Sequence, residues 1–598
     1  MREIDSFYNT YNARHLNPKE VAESFIFSNS FEKLIQNNHS VILGARGCGK
    51  TTLMKMLTLP ALNNWKDSKA DNIRFNIPFY AIYISTDIYW DVKNQTFSSE
   101  LESFGNFSDK ISAFSVNSNV FTSICDTFKN IIDLDLNDSD EDKEIELSKT
   151  LIKAWQLTST IPKLEYIKDA LNERVDFVNQ LIQNVIFNYK NEEDIPKHDF
   201  FNLTFETSLE VIIPIFERIY DIKGKKKWAL CFDELEFAPI WLQKKLFSSL
   251  RSRTQYILYK LSSSPILSLE LEKPLSGTYR ATSGNDVTMI KMWSSGDTDD
   301  FSKKIIDSYL FKKLQIKDAK GFFGSNEVYN KSADSYKKGS RFFKEMSQLI
   351  KKDFSFRDFL SDKRVDLNNP TPDANLKDVL FRKIKPIVYF RNYYINENKK
   401  SIDNKFKVTY RSRKTSELYF GIEVLIKICD GNPRWLIAII NSIIANSSNQ
   451  QVSEKFQYDE IISASKRFQN VIANIPIGST TSTQLTDVID RVGKFFKNQI
   501  LGITFNLDPK GTFIVDENKN DLSEEVVRLL EKGISQGAFI LVDSNDDSFD
   551  FKIRGQRLKL SYLFFPLYDL PIRKYTSIKL SECLKGLDFE SQNQILLF

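Results

Sequence analysis

The run Gly44-Ala-Arg-Gly-Cys-Gly49-Lys50-Thr51-Thr52 constrains this chain more than any other feature. It follows the short apolar run Ser40-Val-Ile-Leu43 and precedes the helical pattern Leu53, Met54, Met56, Leu57. Strand, glycine loop and helix in that order form a phosphate cradle, because the glycines let the backbone curl until its N–H groups face inward. The following helix adds its positive end. Residues Gly44, Ala45, Arg46, Gly47, Cys48, Gly49, Lys50, Thr51 and Thr52 are therefore candidate triphosphate-binding residues. Lys50 is expected to reach the terminal phosphates and Thr51 to ligate Mg²⁺. A plain glycine turn ahead of a helix is the alternative, and the flanking strand and Lys-Thr pair speak against it.

Such a loop needs an acidic strand end beside it. Lys227-Trp-Ala-Leu-Cys-Phe232 is apolar enough for a central parallel strand and ends in Asp233-Glu234. Asp233 is expected near the metal, and Glu234, at the start of the next turn, is the candidate to polarise a water against the γ-phosphate. Taken alone, an acidic pair after a strand is an ordinary loop cap; the upstream loop changes that reading. Phe79–Ile84, Tyr256–Leu261 and Val287–Met292 complete a five-stranded sheet. Ser262 or Ser264, at the end of Tyr256–Leu261, the strand that follows the acidic one, is the candidate γ-phosphate sensor, against an ordinary turn.

Other classes are excluded by what the chain lacks. Its 598 residues exceed what one core usually supports, which predicts several domains. A net charge of +4 is too small to steer the whole chain to nucleic acid or membrane. The five cysteines (Cys48, Cys125, Cys231, Cys429, Cys583) are scattered without metal-ligand spacing, and the three histidines are too dispersed for a hydrolytic triad. The opening residues lack the apolar run of a signal peptide, and no stretch approaches the roughly 20 apolar residues of a membrane span. The expected location is cytoplasmic, with no membrane partner.

The tetrapeptide Gly431-Asn-Pro-Arg434 lies between an amphipathic helix (Leu418, Ile422, Leu425, Ile426) and the apolar run Trp435–Ile440. Outside any context it is a helix stop and restart. With the motifs above it resembles the second sensor of AAA+ ATPases, an arginine projected from a helical lid onto the phosphates, which here is Arg434. The segments Asn17–Ile26, Arg557–Tyr562 and Leu570–Arg573 extend the similarity to the initiator, origin-recognition-complex-like branch, in a bacterial group often found in mobile or phage-defence loci. The resemblance implies ATP rather than GTP, Mg²⁺ as cofactor, and hydrolysis helped by Lys50, Arg434 and Glu234. It implies adenine contacts from Phe25 and Ile26; the alternative is that these residues form the apolar face of a helix capped by Asn17 and Glu20. A trans-acting arginine is sought at Arg280, Arg251 or Arg253, each of which can equally be an exposed salt-bridging residue.

The fold implied is α/β: a P-loop AAA+ core with a parallel five-stranded sheet over residues 1–294, carrying a helical insertion at about 91–225. A lysine-rich, mostly helical insertion follows at 295–414, with a mobile loop expected over Asn396–Lys407. A helical lid at 415–480 and a winged-helix-like domain at 481–598 complete the chain. In that last domain the hairpin is expected between Ala538–Val542 and Phe549–Ile553. Its Asp543, Asp546, Asp547 and Asp550 would repel DNA phosphates. The acidic run Asp138–Glu146 is expected to be a solvated loop entering a helix. Two functions compete. One is an ATP-driven switch acting on a protein effector or on its own oligomer; the other is a DNA-binding initiator or loader that uses the C-terminal domain and basic patches at Lys223–Lys227 and Arg411–Lys414.

Overall fold

Runs rich in β-branched and aromatic residues give the strands β1 (His39–Leu43), β2 (Phe79–Ser85), β3 (Lys227–Asp233), β4 (Ile257–Ser263) and β5 (Val287–Lys291). The computed structural model describes residues 13–94, 98–159, 161–251, 256–272, 275, 287–293, 298–329, 336, 339–368, 375–400, 406–411, 418–445, 447, 451–475, 483–542 and 548–585. The five strands form one parallel sheet in the order β2-β3-β4-β1-β5. This is the α/β core implied by the sequence. β3 and β4 are buried almost throughout, as apolar strands covered on both faces must be.

The strand order positions the site. Only β4 separates β1 from β3, so at about 4.8 Å per strand their carboxyl ends lie about 10 Å apart. The glycine loop leaves one end and the acidic pair leaves the other. β4 also holds a buried cation: Lys260 Nζ donates to Gln36 O (2.8 Å), Asn38 O (2.7 Å) and Ser40 Oγ (3.1 Å), pinning the turn that leads into β1. Burial pushes the Lys260 amine down to about 7.

Between β2 and β3 run the helices Gly105–Ile131, Glu141–Ala154, Leu164–Asn188 and Phe205–Ile219. Phe128 stacks on Phe216 at 4.1 Å and meets Trp228 of β3 edge-on at 5.6 Å. The insertion therefore extends the core of the sheet. Within the acidic run, Asp140 caps the second of these helices by accepting from the Asp142 and Lys143 N–H groups.

The chain beyond Thr298 is mainly helical, and one hydrophobic cluster runs through it from Ile305 to Cys583. The segments that sequence divides at 414 and 480 thus share a core. Two local expectations are corrected. The stretch Asn396–Lys407 carries strands β6 (Ile395–Lys400) and β7 (Phe406–Tyr410), which pair antiparallel; residues 401–405 lie outside the described set. Asn398 anchors this hairpin by donating to Asp353 Oδ1 (2.8 Å), while Arg391 Nε donates to Asp353 Oδ2 (2.7 Å) in a fully buried pair.

The C-terminal part has the helix Leu485–Leu501, β8 (Lys510–Ile514), the helix Glu524–Ser535, β9 (Phe539–Leu541), β10 (Arg557–Leu560) and β11 (Thr576–Lys579). Its sheet order is β11-β8-β10-β9. β9 pairs with β10 and not with Phe549–Ile553. The reason is visible at Asp550, which turns inward to meet Lys291 at 2.9 Å with both side chains buried. That stretch docks on the parallel-sheet unit instead of extending the hairpin, and Asp550 is no surface repellent for DNA. Asp543, Asp546 and Asp547 lie outside the described residues. Among the described residues no helix is long and apolar enough to cross a membrane.

Candidate nucleotide site

Gly47 (φ +83°) and Gly49 (φ +101°) occupy left-handed backbone, which side-chain-bearing residues adopt only with strain. They curl the loop back over the start of the helix Lys50–Met56. At Gly47 an added Cβ would also press on Arg434 Cβ at 3.2 Å. The loop is therefore glycine-rich for two reasons, its own bend and the close approach of the lid.

Lys50 is buried and folded onto the loop, donating to Gly44 O at 2.6 Å and lying 3.4 Å from Glu236 Oε1. Burial by itself would lower its pKa, but the Glu236 carboxylate, aided by Cys48 and Asp233, outweighs that and holds the ammonium above its ordinary value. Burial in turn raises the Glu236 carboxyl, against the attraction of Lys50. Glu236 Oε2 is buried and has no hydrogen-bond partner among the described residues. Burial also raises the Cys48 thiol, which makes it an inert filler of the loop.

Asp233 is buried at the end of β3, with each carboxylate oxygen held by a hydroxyl: Ser262 Oγ donates to Oδ1 (2.5 Å) and Tyr83 OH to Oδ2 (3.2 Å). Thr86 Oγ1 donates to its main-chain oxygen (2.5 Å). Glu234 follows in left-handed backbone (φ +58°), its N–H donating to Ser262 Oγ (3.0 Å) and its carboxylate 3.9 Å from Arg14 Nη1. Ser262, the candidate sensor, is thus fully buried beneath the acidic pair, where it orients both residues. Ser264 Oγ closes a local turn by donating to Ile266 O (2.7 Å).

A cleft of about 540 Å³ opens in front of these groups. Its walls include Phe25 and Ile26, the loop from Ala45 to Thr52 with Lys50 and Thr51, Glu234, Glu236 and Arg434. Phe25 meets the cleft while packing edge-on against Phe31 (4.8 Å) and Trp65 (5.2 Å), and Asn17 and Glu20 form the capping box of the preceding helix. Arg434 stands at the start of the lid helix Pro433–Ala445. Asn432 joins lid and loop: its Nδ2 donates to Arg46 O (3.1 Å) and its Oδ1 accepts from Arg434 N (3.1 Å). Arg251 is exposed just past the helix Ile240–Ser249 and does not line the cleft, and Arg253 and Arg280 lie outside the described residues.

Glu236, Tyr83 and Asn432 were not singled out by sequence. Glu236 had a signal, since it follows the acidic pair by two positions in Asp-Glu-Leu-Glu. Tyr83 had one only through the β2–β3 register, which aligns Ser85 with Asp233. No group of three or more His, Cys, Asp or Glu able to hold a metal occurs among the described residues. The oxygens present, the Thr51 hydroxyl on the cleft wall and the buried Asp233 carboxylate, fit Mg²⁺, which takes few protein ligands and completes its shell with water and phosphate oxygens.

A family model described as ORC-CDC6-like matches residues 6–580, nearly the whole chain. No curated protein and no solved structure matches it.

Proposed function

Because this chain belongs to the ORC-CDC6-like family, a family of AAA+ ATPases of the initiator type, we propose that it binds and hydrolyses Mg·ATP and uses the cycle to switch a partner effector. The observation that carries this reading is the single cleft in which the glycine loop, the acidic strand end and the lid arginine meet. Lys50 exchanges Gly44 O and Glu236 for the terminal phosphates. Thr51, and Asp233 through water, would hold a bound Mg²⁺, which would supply screening of the phosphate charge. Glu234, fixed by Ser262 through its N–H, orients the attacking water. Arg434 neutralises charge on the γ-phosphate and ties lid position to nucleotide state. Phe25 and Ile26 form the apolar floor for the base.

The effector reading rests on the two large additions to the sheet and on the burial of Asp550, which makes the C-terminal hairpin region a docking element within the chain. The phage-defence setting rests on the resemblance alone, and a toxic enzyme encoded next to this chain would support it. A DNA-binding initiator is the second reading, favoured by the family match and by Lys399 and Lys407 on the β6–β7 hairpin. Two measurements test these readings, and the second separates them. Lys50→Ala should abolish ATP binding and Glu234→Gln should keep binding but stop turnover; an enzyme indifferent to both refutes the ATPase. Duplex binding that weakens steeply with salt favours the initiator, and none at low ionic strength removes it.

A further inference from the structure

The helix Glu524–Ser535 reaches the nucleotide site from about 480 residues downstream of the glycine loop, and it ends there. Its last carbonyl, Ser535 O, accepts a hydrogen bond from the Arg46 N–H at 2.8 Å. The residue after the bend, Gly537, lies so close to Ala45 that a Cβ on it would be 3.5 Å from Ala45 Cβ. Arg46 is thereby gripped on both sides: Ser535 takes its N–H and Asn432 of the lid donates to its carbonyl. Ion pairs fasten the same C-terminal unit to the two bodies around the cleft. Asp550 meets Lys291 of β5 at 2.9 Å, and Lys559 meets Asp430, beside the lid motif, at 2.6 Å.

A helix pointing its carboxyl end at a phosphate cradle is electrostatically adverse, because that end carries partial negative charge. A cation between the two would offset that charge when a triphosphate is bound. Lys532 stands one turn before Ser535 on the same helix, and with Ser535 and Gln536 it forms part of the cleft wall. We propose that Lys532 is a phosphate-binding residue of the nucleotide site, supplied by the C-terminal unit, so that nucleotide occupancy and C-terminal docking are coupled. This rests on the ATP-binding reading above and extends it: the site is composite, and the third body is held by the ligand as well as by its own ion pairs.

The test is calorimetric titration of the full chain with ATP, ADP and AMP in Mg²⁺, comparing wild type with Lys532→Met, Lys532→Gln and Lys532→Arg. The expected result is an ATP dissociation constant at least tenfold higher in the Met and Gln variants, a smaller loss for ADP, AMP unchanged, and recovery to within threefold in the Arg variant. Equal losses for ATP and AMP would assign Lys532 a structural role and overturn the proposal. An ATP affinity within twofold of wild type in both uncharged variants would overturn it as well. A wild-type chain that binds no ATP defeats the ATPase reading itself, whereas tight wild-type binding that Lys50→Ala abolishes and Lys532→Met leaves intact defeats only this inference.

Discussion

Glu236→Gln separates a resting-state restraint from a catalytic group. At 3.4 Å, the Lys50–Glu236 attraction is about 5 kcal/mol gross at an effective dielectric near 20. Desolvation of both groups returns most of that, leaving the net value of a charge-assisted hydrogen bond, about 1.5–3 kcal/mol. A triphosphate that recruits Lys50 must displace this pairing, and it must also approach the buried, unpartnered Oε2. Replacing the carboxylate with an amide removes both costs, so the dissociation constant for ATP should fall about 10- to 150-fold. The ligand-free variant keeps only the Gly44 O contact for the Lys50 ammonium and should melt lower, while its gain in melting temperature on ATP addition should exceed that of wild type. Titration calorimetry with and without Mg²⁺, paired with thermal melts, reads both effects. ATP binding that is unchanged or weaker in a folded Glu236→Gln protein refutes the reasoning, because Glu236 would then be assisting the nucleotide rather than competing for Lys50.

Further outcomes follow from the same geometry. Asp550→Ala removes one partner of a buried ion pair, a change that costs about 3–5 kcal/mol, and should split off an earlier transition in scanning calorimetry; one unshifted transition argues against the clamp. Asn432→Ala loses its bonds to Arg46 O and to the Arg434 N–H, each worth about 1 kcal/mol, and should weaken ATP binding by about fivefold or more in equilibrium titration. Lys260 has a folded pKa of about 7, below its unfolded value, so the folded state binds fewer protons between about pH 7 and 10.4 and stability should rise with pH in that window. Urea melts at pH 7 and 8.5 should show that rise in wild type and not in Lys260→Met; a wild-type protein that loses stability relative to the variant over this range contradicts it.

What sequence could reveal here was set by the range of the interactions. The strand–loop–helix around Gly44–Thr52 and the apolar strand ending in Asp233 are written in consecutive residues, and their meeting follows from a sheet order in which only β4 lies between β1 and β3. Phe549–Ile553 alternates as a strand should and still does not pair, because a buried charge on β5 competes for Asp550. Asn396–Lys407 is polar enough to read as a loop, yet Asn398 buries its amide against Asp353 and fixes a hairpin. Ser262 was visible as a polar residue at a strand end, but its direction was not, and the hydroxyl is committed to Asp233 and Glu234. The approach of Lys532 and Ser535 to the glycine loop left no local trace at all, since it depends on how the C-terminal sheet packs.

The strengths of these contacts decide what kind of switch the site can be. The two bonds gripping Arg46 are worth about 1 kcal/mol each, so breaking or making them shifts docking of the lid and C-terminal unit by a modest factor, within the 1–3 kcal/mol usual for coupling between sites. The pairs Lys291–Asp550 and Lys559–Asp430 are buried, and breaking a buried pair costs several kcal/mol. On the proposed reading, nucleotide exchange alone would therefore loosen the C-terminal unit without releasing it. Full release needs an agent that supplies new partners for those buried charges, and a protein surface offering an acid to Lys291 or a base to Asp430 is such an agent.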